Sequence, residues 1–133
     1  MRRLLFITFL LFVTFPLAAT FARAQTANEE QNRIVGEVAA CLQAGLPPDW
    51  ASAEMRVELK KPGAESGDVS YVMRRKLSGG AFEPFRPCDE KQAARTLLEI
   101  RKSQPKERRA WTGAKLTLHS EGKYDLTFDY TPK

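Results

Sequence analysis

The chain has 133 residues, 43% hydrophobic and 28% charged, with a formal net charge of +5. That length holds one domain and excludes a multidomain enzyme, and the apolar-to-charged balance excludes a disordered or fibrous chain. Loss of an export signal would bring the charge to about +2 and weigh against a nucleic-acid binder that relies on bulk positive charge.

Arg2 and Arg3 open the chain as a short positive segment. Leu4 to Phe15 is apolar, interrupted only by threonine, and Pro16 breaks it. Ala22-Arg23-Ala24 then places small residues at positions −3 and −1 of a cut before Gln25, the pattern of a cleaved secretory signal. Residues 1–24 are therefore expected to be a signal peptide and residues 25–133 a single folded domain, periplasmic or secreted. Contact with a membrane is expected only through the signal before cleavage. Two alternatives stay open. Leu4 to Ala22 is about long enough for an uncleaved anchor, although Pro16 and the threonines weaken it. Val38-Ala39-Ala40-Cys41 has the residue types of a lipobox, but Arg23, Glu29, Glu30, Arg33 and Glu37 separate it from the apolar run.

Export changes how the cysteines read. Cys41 and Cys88 both survive cleavage, an even number in an oxidising compartment, and are expected to form a disulfide. The alternative is a pair of buried thiols. Two cysteines and the single His119 do not make a metal-ligand set.

In the domain, Ile34, Val35, Val38, Cys41 and Leu42 recur at helical spacing and predict a helix from about Ala27 to Gly45, stopped by Gly45 and Pro47-Pro48. From Trp50 the period becomes two: Ala53, Met55, Val57 and Leu59 alternate with Glu54, Arg56, Glu58 and Lys60, a strand with one wet face. Val69 to Leu77 predicts a second strand with Val69, Tyr71 and Met73 on one side, and Ala81 to Phe85 a short third. Asp89 with Gln92 reads as a capping box opening a second helix, whose apolar stripe is Ala93, Ala94, Leu97, Leu98 and Ile100 and whose stop is Pro105. The basic cluster Arg101, Lys102, Lys106, Arg108 and Arg109 lacks interleaved aromatics and reads as a solvated loop rather than a nucleic-acid patch. Leu116 and Leu118, a turn at Ser120 to Lys123, then Tyr124, Leu126, Phe128 and Tyr130 predict a hairpin with an apolar face. The fold class expected is α+β, an antiparallel sheet of about four to five strands with two helices packed on one face.

No nucleophile elbow, zinc-protease motif, phosphate-binding loop or dinucleotide fingerprint occurs, so neither catalysis nor a cofactor is expected. His119 falls on the polar face of a strand and reads as a solvent-facing histidine, since a general base would need an orienting acid and a substrate pocket. Asp125 and Asp129 lie about 13 Å apart along one strand face, wider than the roughly 5–9.5 Å of glycosidase carboxylate pairs. What remains is a charged sheet face. Glu54, Arg56, Glu58, Lys115, His119, Asp125 and Asp129 mix both signs, either as solvated surface or as a docking surface whose charge pattern selects a partner.

The stretch WTGAKLTLHSEGKYDLTFDY, Trp111 to Tyr130, resembles the ending of YezG-like immunity proteins: a tryptophan, an alternating strand, Gly122-Lys123-aromatic, then Phe128-Asp129-Tyr130. An N-terminal helix followed by Leu46-Pro47-Pro48-Asp49-Trp50 resembles that family's approach to its first strand. The resemblance implies an antitoxin that binds and occludes a cognate bacterial toxin without catalysis. Its specific residues are Trp50, Trp111, Gly122, Lys123, Phe128 and Tyr130. Most also have a structural explanation: the tryptophans as large buried surfaces, Gly122 in the turn, Phe128 and Tyr130 in the core. The export signal and the absent acidic surface depart from relatives that face nuclease toxins, and imply a toxin acting in the periplasm or on the envelope. The alternative function is an exported module that binds a small ligand or envelope component with no toxin partner.

Overall fold

The strand β1 (Trp50–Leu59) is the axis of the molecule, because it alternates so regularly that one side can be wholly buried. Ala53, Met55, Val57 and Leu59 are at most 1% exposed, while Arg56 and Glu58 between them are exposed. A computed structural model describes residues 18–77 and 79–131, with side chains from residue 28 onward. The expected positive segment, apolar run and Pro16 lie outside the described residues, as do the side chains at the expected cleavage position.

The antiparallel neighbours of β1 are β2 (Gly67–Arg75) and β4 (Gly113–His119). Outside them lie β3 (Phe82–Pro84) and β5 (Tyr124–Asp129), giving the order β3-β2-β1-β4-β5. All pairings are antiparallel, and the class is α+β as expected. β2 ends at Arg75 rather than running to Leu77, which is 93% exposed. The β4–β5 turn carries Gly122 at φ +94°, a conformation that a residue with a Cβ rarely adopts.

The helices cover one face. α1 spans Ala18–Gln43, beginning well before the expected Ala27, and buries Ile34, Val35, Val38 and Leu42. α2 (Glu90–Leu98) and the single turn α3 (Ile100–Ser103) replace the one helix expected there, and bury Ala93, Leu97 and Ile100. Full burial of each of the valine, leucine and isoleucine side chains is worth about 1.5–3 kcal/mol against exposure. The α2 cap is one-sided. Asp89 Oδ1 accepts from the Lys91 and Gln92 N–H groups at 3.0 Å, but the Asp89 N–H goes to Cys41 Sγ at 3.3 Å, so no return bond from Gln92 completes the box.

The expected disulfide is present: Cys41 and Cys88 are bridged, with Cα atoms 4.9 Å apart, fastening the end of α1 to the start of α2. Gly45 stops α1 for a tighter reason than helix propensity. A Cβ there would lie 1.8 Å from the Arg86 carbonyl oxygen, so only glycine lets the two main chains pass.

Trp111, 0% exposed, closes the far end of the core. Its Nε1–H donates to Gln104 Oε1 at 2.8 Å, Phe128 lies 5.2 Å from it, and the Arg101 guanidinium stacks on it at 4.6 Å. Arg101 therefore departs from the solvated loop expected for the basic cluster. Tyr130 also departs from expectation. It is 46% exposed, because β5 ends at Asp129, and its hydroxyl donates to the Arg108 carbonyl at 3.0 Å. Trp50 is only half-buried.

Candidate functional site: the open face of the sheet

The strand parity that buries Met55 and Leu116 sends their neighbours to the side no helix covers. The register fixes the rows across that side. Ser70, Arg56, Lys115 and Thr127 form one, Val72, Glu54, Thr117 and Asp125 the next, and Asp68, Glu58, Gly113 and Asp129 a third. All seven residues singled out from the sequence thus lie on one surface: Glu54, Arg56, Glu58, Lys115, His119, Asp125 and Asp129.

Arg56 and Lys115 are direct cross-strand partners of like charge, an arrangement that is unfavourable by itself. It is relieved along the strand, where Arg56 Nη2 and Nε donate to Glu54 Oε2 at 2.9 and 3.2 Å. Gly113 contributes no side chain to its row. The result is a shallow depression of about 300 Å³ bordered by Arg56, Glu58, Lys115, Thr127 and Asp129. Asp129 also holds Thr131, accepting from its N–H at 2.9 Å and its hydroxyl at 2.6 Å.

At the opposite end, His119 Nε2 lies 2.9 Å from Asp125 Oδ2. The two are diagonal neighbours across the hairpin, since Asp125 faces Thr117 and His119 is two residues further along. Asp125 is therefore the acid that lies against His119. Both side chains are open to solvent, and among the described residues neither has another side-chain partner. The arrangement holds an imidazole against the sheet and supplies a donor–acceptor pair to whatever docks there.

Two features of this face escaped the sequence. Arg74 stacks 3.9 Å over Phe82, which is 43% exposed, and the register puts both in line with Ser52 and His119. Only the pairing of the three-residue β3 reveals that neighbourhood. At its border Arg75 bridges Asp49 at 2.8 Å and Glu83 at 2.7 Å, and the hydrogen bond it donates to Glu83 is the main cause of its raised pKa. Of the family-like residues, Lys123 is exposed in the hairpin turn and Trp111 and Phe128 belong to the core side, so they shape the scaffold rather than this surface.

Among the described residues no group of three or more His, Cys, Asp and Glu side chains could hold a metal ion. No described helix is long and apolar enough to cross a membrane. The chain matches no protein-family model and no curated protein.

Proposed function

We propose that this is an exported immunity-type protein that binds a cognate bacterial toxin through the open face of its sheet and blocks it by occlusion. One observation carries the reading. Seven charged or polar residues of both signs converge on the single face that the helices leave bare. Such a mosaic rewards a partner of complementary pattern and penalises others, because each mismatched charge is left desolvated and unpaired. The disulfide supports the export part of the reading, since such bonds persist in oxidising compartments. The toxin then acts in the periplasm or on the envelope, and neither nucleic acid nor a cofactor takes part.

The test is co-purification with the product of the neighbouring gene, followed by a protection assay against that product directed to the periplasm or to the cytosol. A stoichiometric complex and protection in the periplasm are expected. The double variant Arg56→Glu/Lys115→Glu, altered only at exposed positions, is expected to weaken the complex by at least about tenfold while leaving the fold intact. A neighbour that neither binds nor is neutralised would refute the proposal.

A further inference from the structure

The helix side of the molecule carries a second surface, along the other half of β2. β3 covers β2 only from Val72 to Arg74, with one further bond from the Phe85 N–H to the Tyr71 carbonyl at 3.2 Å. The chain then turns back toward the disulfide at Cys88. From Gly67 to Ser70, β2 is paired with β1 alone. Because Tyr71 and Met73 bond toward β3, the alternation of an antiparallel ladder directs the N–H and C=O groups of Val69 and Gly67 outward as well. An edge of this kind is a template for another strand.

Beside this edge runs a groove of about 480 Å³ between β2 and α2, with Val57, Val69, Tyr71, Ala94 and Leu98 in its lining. Past Glu65, Arg95 and Leu98 it continues into a hollow of about 340 Å³ that adds Arg101, Lys102 and Arg109. Four cations face two acids there, Glu65 and Glu99. Arg95 and Lys102 form no ion pair among the described residues, and Arg109 donates only to the main-chain carbonyls of Gln104 and Lys102.

Arg101 is the exceptional member. Its Nη1 donates to the Ala64 carbonyl at 3.0 Å, whereas Nε and Nη2 are buried and, among the described residues, have no hydrogen-bond partner. Those two N–H groups form the lateral edge of the guanidinium, the fork that matches both oxygens of a carboxylate. A buried, unpaired cationic donor is costly, and desolvation correspondingly lowers the Arg101 pKa against the opposing pull of Glu65. The Ala64 contact also places the Gly67 end of β2 next to α3. A strand that continued the antiparallel direction of β3 would run from Tyr71 toward Gly67 and deliver its C-terminal end to Arg101.

From this geometry we propose that the groove binds the extended C-terminal segment of a partner polypeptide, pairing it with the free edge of β2 and clasping its terminal carboxylate with Arg101 and the flanking cations. Apolar side chains on alternate residues of the segment fill the Val69–Leu98 floor. Glu65 is exposed at the rim and competes for the same guanidinium. The carboxylate gains the fork only when rim side chains move, and this is the step that makes binding selective for an anionic end. The surface is distinct from the open face, and the inference stands independently of the toxin reading.

The test uses protein purified after expression of the full chain. A mixed hexapeptide library with free C-termini is compared with the same library amidated, by affinity selection and then by NMR shifts of the enriched peptides. Expected are enrichment in the free-acid arm alone, about tenfold tighter binding than the matching amides, and shifts at Gly67, Val69, Leu98 and the Trp111 indole. Arg95→Glu/Lys102→Glu, altered at exposed positions, is expected to abolish the difference between acid and amide, and Glu65→Gln to tighten acid binding several-fold. Equal enrichment in both arms, enrichment in neither, or shifts on the open face instead would overturn the proposal. So would inorganic phosphate or dodecyl phosphate reproducing the shifts with no further effect of peptide.

Discussion

The main-chain N–H of Cys88 donates to the Cys41 carbonyl at 2.9 Å, beside the disulfide that joins the same two residues. Helix α1 and the start of α2 are thus fastened twice at one point, 47 positions apart in sequence. Replacing both cysteines by serine is expected to lower unfolding stability on the order of 4 kcal/mol by the chain-entropy account. Urea unfolding of the variant and of the oxidised protein measures this directly. An unchanged midpoint would mean that the bridge contributes nothing.

Gly45 and Gly36 should respond oppositely to alanine. At Gly45 the new Cβ meets the Arg86 carbonyl oxygen at 1.8 Å, main chain against main chain, and the variant is expected to lose at least about 1–3 kcal/mol. Gly36 is an exposed position inside α1 with nothing within 4 Å, so alanine there is expected to gain about 0.5–1 kcal/mol in helix propensity. Thermal denaturation of the two variants should bracket the parent.

Tyr71 ties alkaline stability to α2. Burial, then the charges of Glu90 and Asp89, push its pKa up to about 12, and its hydroxyl donates to the Glu90 carbonyl at 2.6 Å. The folded state therefore holds this proton more tightly than the unfolded chain, whose tyrosine titrates near 10. The contribution is whole below pH 10 and is lost as pH rises through about 12. Denaturation midpoints measured from pH 9 upward should fall across that window, and Tyr71→Phe should flatten the part of the fall that Tyr71 causes.

Trp111 anchors the end of the core where α3 meets β4 and β5. Truncation to alanine is expected to cost about 3–5 kcal/mol, through lost burial and the cavity left behind. The same change removes the surface on which Arg101 stacks, so amide exchange at Ala64 and its neighbours should quicken along with the global loss. Retained protection there would show that the loop is held by other means.

The strands and the hairpin were legible because burial on one face imposes a period of two, and β1 follows it from Ala53 to Leu59, beyond the register shift between Trp50 and Ser52. The disulfide was legible from an even cysteine count together with the expectation of export. Tyr130 was misread because alternation says which side a residue faces but not where the ladder ends, and pairing stops at Asp129. Tyr124, Leu126 and Phe128 are only half-buried for a related reason: β5 is an edge, and a sequence does not reveal its rank in the sheet. Arg101 was hidden by its neighbours, since one member of a basic run is indistinguishable from the rest until Trp111 is placed under it. The His119–Asp125 pair needed the hairpin register, which makes residues six apart into diagonal neighbours.

The interior of this molecule and its bare sheet face are written in alternate letters of the same strands. Nearly every change among the outward letters leaves the inward ones packed as before. Substitutions that redraw the exposed pattern, at Arg56 or Lys115 for instance, are therefore expected to leave the packed side of the same strands as it is.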